Sequence, residues 1–201
     1  GVIGAGKSTV ARGVAAALGY RHLDTGAMYR AVACAALRRG VDPGDVDAVA
    51  EVARSIDLDL TRDACVVDGV DATADIRGPE VTGAVSVVAA NPGVRVEMVA
   101  RQRAWATERG GGVMEGRDIG SNIFPETPHK FFMDAAAAVR QARRDADGVQ
   151  ENLAARDERD STRKAAPLMV AEGATVINNA GETPEQTSAR IIALVKERLG
   201  G

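Results

Sequence analysis

Aromatic side chains are scarce in this 201-residue chain, where Phe, Tyr and Trp together supply 3% of the residues. A core must therefore be assembled from Ala, Val, Leu and Ile, and the total apolar content is an ordinary 45%. Only two cysteines occur, Cys34 and Cys65, and no C-x-x-C joins them. That pattern fits buried thiols rather than a metal or redox site. The two histidines, His22 and His129, occupy strand-like positions with no carboxylate partner pattern, and both read as structural. No HExxH, G-x-S-x-G or catalytic-loop HRD occurs, which removes zinc-protease, serine-hydrolase and protein-kinase chemistry. No apolar run approaches the roughly 18 residues of a membrane span, and no secretory signal is visible. Charge of either sign is not in excess: 25 basic residues face 28 acidic ones, for a net charge of −3. A broad nucleic-acid or membrane-binding face is thus disfavoured, and any anion must be met by locally concentrated arginines. A cytoplasmic enzyme of one α/β domain is the expectation.

What is present begins at the first residue. Gly1-Val2-Ile3-Gly4-Ala5-Gly6-Lys7-Ser8-Thr9 fits G-x-x-x-x-G-K followed by Ser or Thr, the phosphate-cradling P-loop. Glycines let successive backbone N–H groups curl inward around phosphate oxygens. Lys7 is placed to reach the β- and γ-phosphates, and the Ser8 hydroxyl to ligate a bridging magnesium ion. Residues 7–18 (KSTVARGVAAAL) then read as a helix whose positive N-terminal end faces the phosphates. Gly4, Ala5, Gly6, Lys7, Ser8 and Thr9 are therefore the expected ATP–Mg²⁺ site, with Ser8 the metal ligand. A P-loop ordinarily follows a buried strand. None precedes Gly1, so the expectation is either an N-terminal fragment or a sheet lacking its first strand.

The rest of the pattern alternates strands and helices. Residues 20–24 read as a strand, 27–39 and 42–56 as helices, and 79–90 and 92–109 as two more, each with Pro near its start. Between them, 57–60, 65–68 and 70–72 are short, β-branched and broken by Asp-Gly, which predicts a small antiparallel insertion. Strands are expected at 113–114, 130–133 and 175–177, a charged helical stretch at 135–163, and a closing amphipathic helix at 184–199. Strands separated by helices of this length imply right-handed crossovers and a parallel sheet. The fold expected is a three-layer αβα P-loop domain, residues 1–201.

Three further sets of residues point to chemistry. Leu23-Asp24-Thr25-Gly26-Ala27-Met28-Tyr29-Arg30 ends a strand, where ligands of doubly wound sheets bind; an N-cap followed by a surface arginine is the plain alternative. Gly116-Arg117-Asp118-Ile119-Gly120 also follows a strand, although a surface ion pair would explain it as well. Arg140, Arg143 and Arg144 share one helical face, as do Arg156, Asp160 and Arg163. Interleaved acids allow these to be only a solvated helix, but arginines also stabilise the charge spread over phosphoryl oxygens without being deprotonated. A site rich in arginine and poor in bases suits an acceptor that is already ionised, such as a phosphate monoester.

Read together, GAGKSTVA, LDTGAMYRA, the segment around Arg95, EGRDIGSNIFP and RDERDSTRKAAPL resemble the bacterial cytidylate kinases, in order and over nearly the whole chain. The resemblance implies transfer of the ATP γ-phosphate to CMP or dCMP by a cytoplasmic monomer that binds no nucleic-acid polymer and no membrane. Residues of about 57–95 would be the nucleotide-binding insertion and about 140–156 an arginine-rich lid. Arg30, Arg117 and Arg163 match the arginines on the acceptor phosphate. Ser86, Arg95 and Asp118 match the cytosine-reading set, and Arg156 and Asp160 match residues at the pentose. Asp24 and Thr25 join the acceptor site, while Lys7, Arg117, Arg140, Arg144 and Arg163 form the expected catalytic set. A carboxylate at Asp118 suits cytosine, whose N4 amino group donates where uracil presents an acceptor. The chain departs from the family in three places: Val2-Ile3 in the lead-in, a shorter segment between Arg144 and Arg156, and Ser121-Asn122 after GRDIG. The alternatives are a kinase of another small acceptor (AMP, UMP or shikimate) and a truncated nucleotide-binding remnant without turnover.

Overall fold

A computed structural model describes residues 4–61, 63–136, 138–141 and 169–200, and the account below concerns these residues. The chain divides into two compact units, Gly1–His22 with Gly112–Gly201, and Leu23–Gly111.

In the first unit, α1 spans Lys7–Leu18 and stops at Gly19, whose φ of 72° turns the chain out of the helix. β1 (His22–Asp24) carries the chain toward the second unit, and it pairs with β5 (Val113–Glu115), the Arg21 carbonyl accepting the Val113 N–H. β6 (Phe131–Asp134) and β7 (Thr175–Asn178) are parallel, Phe131 opposite Thr175 through Asp134 opposite Asn178. α6 spans Pro184–Gly200. The core of this unit joins Ala5, Val10 and Val14 to Met133, Ile177, Ile191 and Val195. Aliphatic side chains fill it almost alone, as the shortage of aromatics requires.

The second unit is built around α2 (Thr25–Arg38). Its ten buried residues face every direction, the mark of a helix enclosed by its neighbours. Around it lie α3 (Val46–Ser55), α4 (Pro79–Val88) and α5 (Pro92–Glu108), the last two opening on proline. Asp45 caps α3 through the Ala48 N–H (3.0 Å), and Asn91 caps α5 through Gly93 and Val94. At the other end of α3, Arg101 donates to the carbonyls of Ala53, Arg54 and Ile56, acceptors that a helix terminus leaves open. The expected antiparallel insertion is present as β2 (Leu58–Leu60), β3 (Cys65–Val67) and β4 (Val70–Asp71). Its Asp68-Gly69 turn has φ of 52° and 75°, as a tight hairpin demands. Cys34 and Cys65 are buried free thiols. Among the described residues no helix is long and apolar enough to cross a membrane.

Candidate active site

The phosphate cradle has the backbone that its glycines predict. Gly4 (φ 73°) and Gly6 (φ 75°) are both left-handed. A Cβ at position 4 would lie 3.1 Å from the Cβ and from the carbonyl oxygen of Arg140. Space and backbone angle therefore both require glycine there, and the contact sets Arg140, one of the expected catalytic arginines, beside the cradle. Arg140 Nε donates to the Ala135 carbonyl at 3.0 Å. Gly6 caps α1 with no side-chain acceptor, so the partial positive charge of the helix end is directed to whatever the loop binds. Lys7 and Ser8 are half-buried, and Thr9 is exposed.

Two side chains that the sequence did not single out hold this loop. Asn179, at the end of β7, donates from Nδ2 to the Ala5 carbonyl at 2.9 Å, and both residues are buried. Glu115, the last residue of β5, accepts the Ser8 hydroxyl on Oε2 at 2.8 Å. His22 Nε2 meets the other oxygen, Oε1, at 3.0 Å. The structural reading of His22 without a carboxylate partner is thereby corrected. Ninety-three positions separate the pair in sequence, and pairing of β1 with β5 makes them neighbours.

Glu115 is 7% exposed, so its carboxylate needs polar partners, and Ser8 and His22 are two of them. Because the Ser8 proton points to Glu115, the Ser8 oxygen offers lone pairs to a cation. A hydroxyl backed by a buried carboxylate is a hard oxygen set of the kind that suits Mg²⁺ beside phosphates. Among the described residues no three His, Cys, Asp or Glu side chains gather into a protein-only metal cage.

Asp118, in the Gly-Arg-Asp loop, is buried at 8% exposure. Its carbonyl accepts the Ile123 N–H at 3.4 Å, and the Ile119 carbonyl accepts that of Phe124 at 2.8 Å, which makes Ile119–Ile123 a π-helical turn, a wide turn frequent at functional sites. Arg117 is half-buried beside it.

In the second unit, the capping reading of the Asp24 segment is realised: Asp24 Oδ1 accepts the Ala27 N–H at 3.1 Å, and Thr25 is buried. Arg30 Nη1 donates to the Ile76 carbonyl and the Thr82 hydroxyl, each at 3.0 Å. Arg95 is 8% exposed on α5, with its guanidinium 5.9 Å from the centre of the Tyr29 ring. Ser86 is half-buried on α4. The lid residues Arg143 and Arg144, and Arg156, Asp160 and Arg163, lie outside the described residues.

A P-loop that opens a helix, with a carboxylate from a neighbouring strand on its serine, defines a P-loop nucleotide-binding enzyme. Comparison with known proteins narrows the class. The cytidylate kinase family model matches residues 1–197. The cytidylate kinase of Mycobacterium leprae (strain Br4923) is 41% identical over 100% of this chain and 95% of its own. That of Geobacillus thermodenitrificans (strain NG80-2) is 44% identical over 100% and 96%. A third, from Mycobacterium avium (strain 104), is 41% identical over 98% and 93%. The chain belongs to the cytidylate kinase family.

Proposed function

We propose that the chain transfers the γ-phosphoryl group of ATP to CMP or dCMP, releasing ADP and CDP or dCDP. The observation that carries this reading is the Ser8–Glu115 pair at the mouth of a glycine cradle, in a chain of the cytidylate kinase family. Gly4 through Thr9 hold the triphosphate, and Lys7 neutralises charge on its β- and γ-oxygens. Ser8, oriented by Glu115, would hold Mg²⁺, which would supply positive charge to offset that of the phosphate oxygens. Arg117, Arg140, Arg144 and Arg163 stabilise the charge that spreads over the moving phosphoryl group.

Arg30 serves the acceptor phosphate, Ser86, Arg95 and Asp118 serve its base, and Arg156 and Asp160 serve its sugar. Asp24 orients the start of α2 from its cap. No side chain has to remove a proton, because a nucleoside monophosphate is mostly dianionic near pH 7, its second pKa being about 6. Catalysis is then positioning and charge stabilisation. Residues of about 57–95 serve the acceptor and about 140–156 act as a lid, in a soluble cytoplasmic monomer.

The test is ADP formation from ATP with CMP, dCMP, UMP or AMP as acceptor. Turnover is expected with the two cytidine nucleotides and little with the others. Asp118→Ala is expected to erase the preference for CMP over UMP while changing the KM for ATP far less. Unchanged discrimination would remove Asp118 from base reading.

A further inference from the structure

We infer that Lys130 is a positioning residue for the Gly-Arg-Asp loop, and through it for the choice of acceptor base. The inference deepens the proposed role of Asp118 in reading cytosine and rests on that reading. Lys130 stands immediately before β6, and its carbonyl accepts the Thr175 N–H at 2.9 Å, so its backbone belongs to the β6–β7 pair. Its side chain reaches from that pair to the turn that follows Asp118. A Cβ built on Gly120 would lie 2.8 Å from Lys130 Cδ and 3.1 Å from Cγ, so the lysine stem lies against the backbone of the turn. At its tip, the ammonium donates to the Pro125 carbonyl at 2.6 Å and to the Glu172 carbonyl at 2.9 Å.

The turn Ile119–Ile123 is entered from Asp118, whose carbonyl closes it, and left through Phe124 and Pro125. Lys130 touches its entry at Gly120 and its exit at Pro125, and ties both to the segment that leads into β7. An ammonium carries three N–H donors, so one side chain holds two carbonyls at once. Bonds from a charged donor are also stronger than neutral ones. Because the Asp118 carbonyl accepts within the turn, a shift of the turn passes to the backbone from which the Asp118 carboxylate extends. A group that must meet one atom of a substrate tolerates little of this: a misplacement of about 1 Å can cost about 100-fold. The phosphate cradle is held elsewhere. Lys130 precedes the first residue pair of the β6–β7 ladder, and Asn179, which bonds Ala5, follows the last. Loss of Lys130 is therefore expected to reach the acceptor far more than ATP.

The experiment measures kcat/KM for CMP and for UMP at saturating ATP, and the KM for ATP at saturating CMP, on the full chain. The readout is the CMP-to-UMP ratio of kcat/KM. Lys130→Met keeps the stem and removes the ammonium, and Lys130→Arg restores a cationic N–H donor. Gly120→Ala presses on the stem from the turn, at a glycine whose φ is not left-handed and so does not forbid Ala. Asp118→Ala is the control on the underlying reading, and melting curves accompany each variant.

Lys130→Met is expected to lose about tenfold of the ratio, a part of what a full misplacement costs. Its KM for ATP is expected to stay within about twofold of the parent, since the glycine cradle is intact. Lys130→Arg is expected to recover most of the ratio, and Gly120→Ala to lower it. A ratio unchanged in Lys130→Met but erased in Asp118→Ala overturns the Lys130 proposal alone. An unchanged ratio in Asp118→Ala overturns the base-reading role and this inference with it. Equal loss for CMP, UMP and ATP in Lys130→Met assigns the lysine to general stability and also overturns the proposal. If Lys130→Met does not melt cooperatively, Gly120→Ala decides: a lowered ratio with the KM for ATP held supports the positioning role, and a parental ratio overturns it.

Discussion

Replacing Asn179 tests whether the end of β7 sets the geometry of the phosphate cradle. Its Nδ2 donates to the Ala5 carbonyl at 2.9 Å, across 174 positions of sequence. Asn179 is 3% exposed and Ala5 0%, so no solvent waits to replace the bond. Asn179→Ala leaves a buried carbonyl short of its donor, a loss of about 2 kcal/mol. For a chain of this length that lowers the melting temperature by about 4–8 °C. Ala5 lies in the loop that binds phosphate, so part of the loss falls on ATP. If half of it does, the KM for ATP rises about fivefold, from the equivalence of 1.4 kcal/mol and one decade.

Asn179→Asp sharpens the test, because it keeps the shape while replacing the donor by an acceptor. Two oxygens then face each other at the former hydrogen-bond distance, and a negative charge is added near a phosphate site. The Asp variant is expected to be worse than the Ala variant in both melting temperature and KM for ATP. Thermal melting and steady-state kinetics on both variants decide it. An Asp variant that melts and binds ATP like the parent would refute the reasoning.

Packing and thiol chemistry give two further predictions. A Cβ added at Gly93 would lie 2.6 Å from the Cβ of Ala50, where α3 and α5 cross. Gly93→Ala is expected to lower unfolding free energy by about 1–3 kcal/mol by overpacking, measured by urea denaturation. The paired change Ala50→Gly with Gly93→Ala should recover much of the loss, and no recovery would refute the contact. Burial raises the Cys65 thiol from 9.0 to about 11 and moves Cys34 in the same direction. Between those values the unfolded chain releases thiol protons that the native chain keeps. The contribution is therefore present below pH 9.0 and is lost as pH rises toward about 11. Urea midpoints of the parent should fall more steeply over that interval than those of Cys65→Ala; parallel curves would contradict the shift. Both thiols are also expected to be unreactive toward a thiol reagent until the protein is unfolded.

Local chemistry made much of the fold legible. The Lys-Ser start and the Gly19 stop delimit α1 at Lys7–Leu18, the span its composition predicts. Proline fixes the starts of α4 and α5, and Asp68-Gly69 fixes the hairpin of β3 and β4. Such signals lie within a few residues of what they control, so a linear reading captures them. The Ile119–Ile123 π turn carried no comparable signal, because its bonds follow from where Asp118 is held.

The site divides along the same line. The sequence by itself determined the cradle, since the spacing of Gly4, Gly6, Lys7 and Ser8 is the geometry of a loop entering a helix. It also marked Asp24 as a cap or a ligand, and the cap is formed by a local contact with the Ala27 N–H, three residues along the chain. What only tertiary structure decided is which partners hold the cradle. Glu115, His22 and Asn179 reach it from strands 93 to 174 positions away from their partners. Their side chains are common in many roles, and no local spacing distinguishes one buried carboxylate or amide from another. Strand pairing and core packing bring them to Ser8 and Ala5, and burial then turns ordinary hydrogen bonds into constraints, because no water is at hand to replace them.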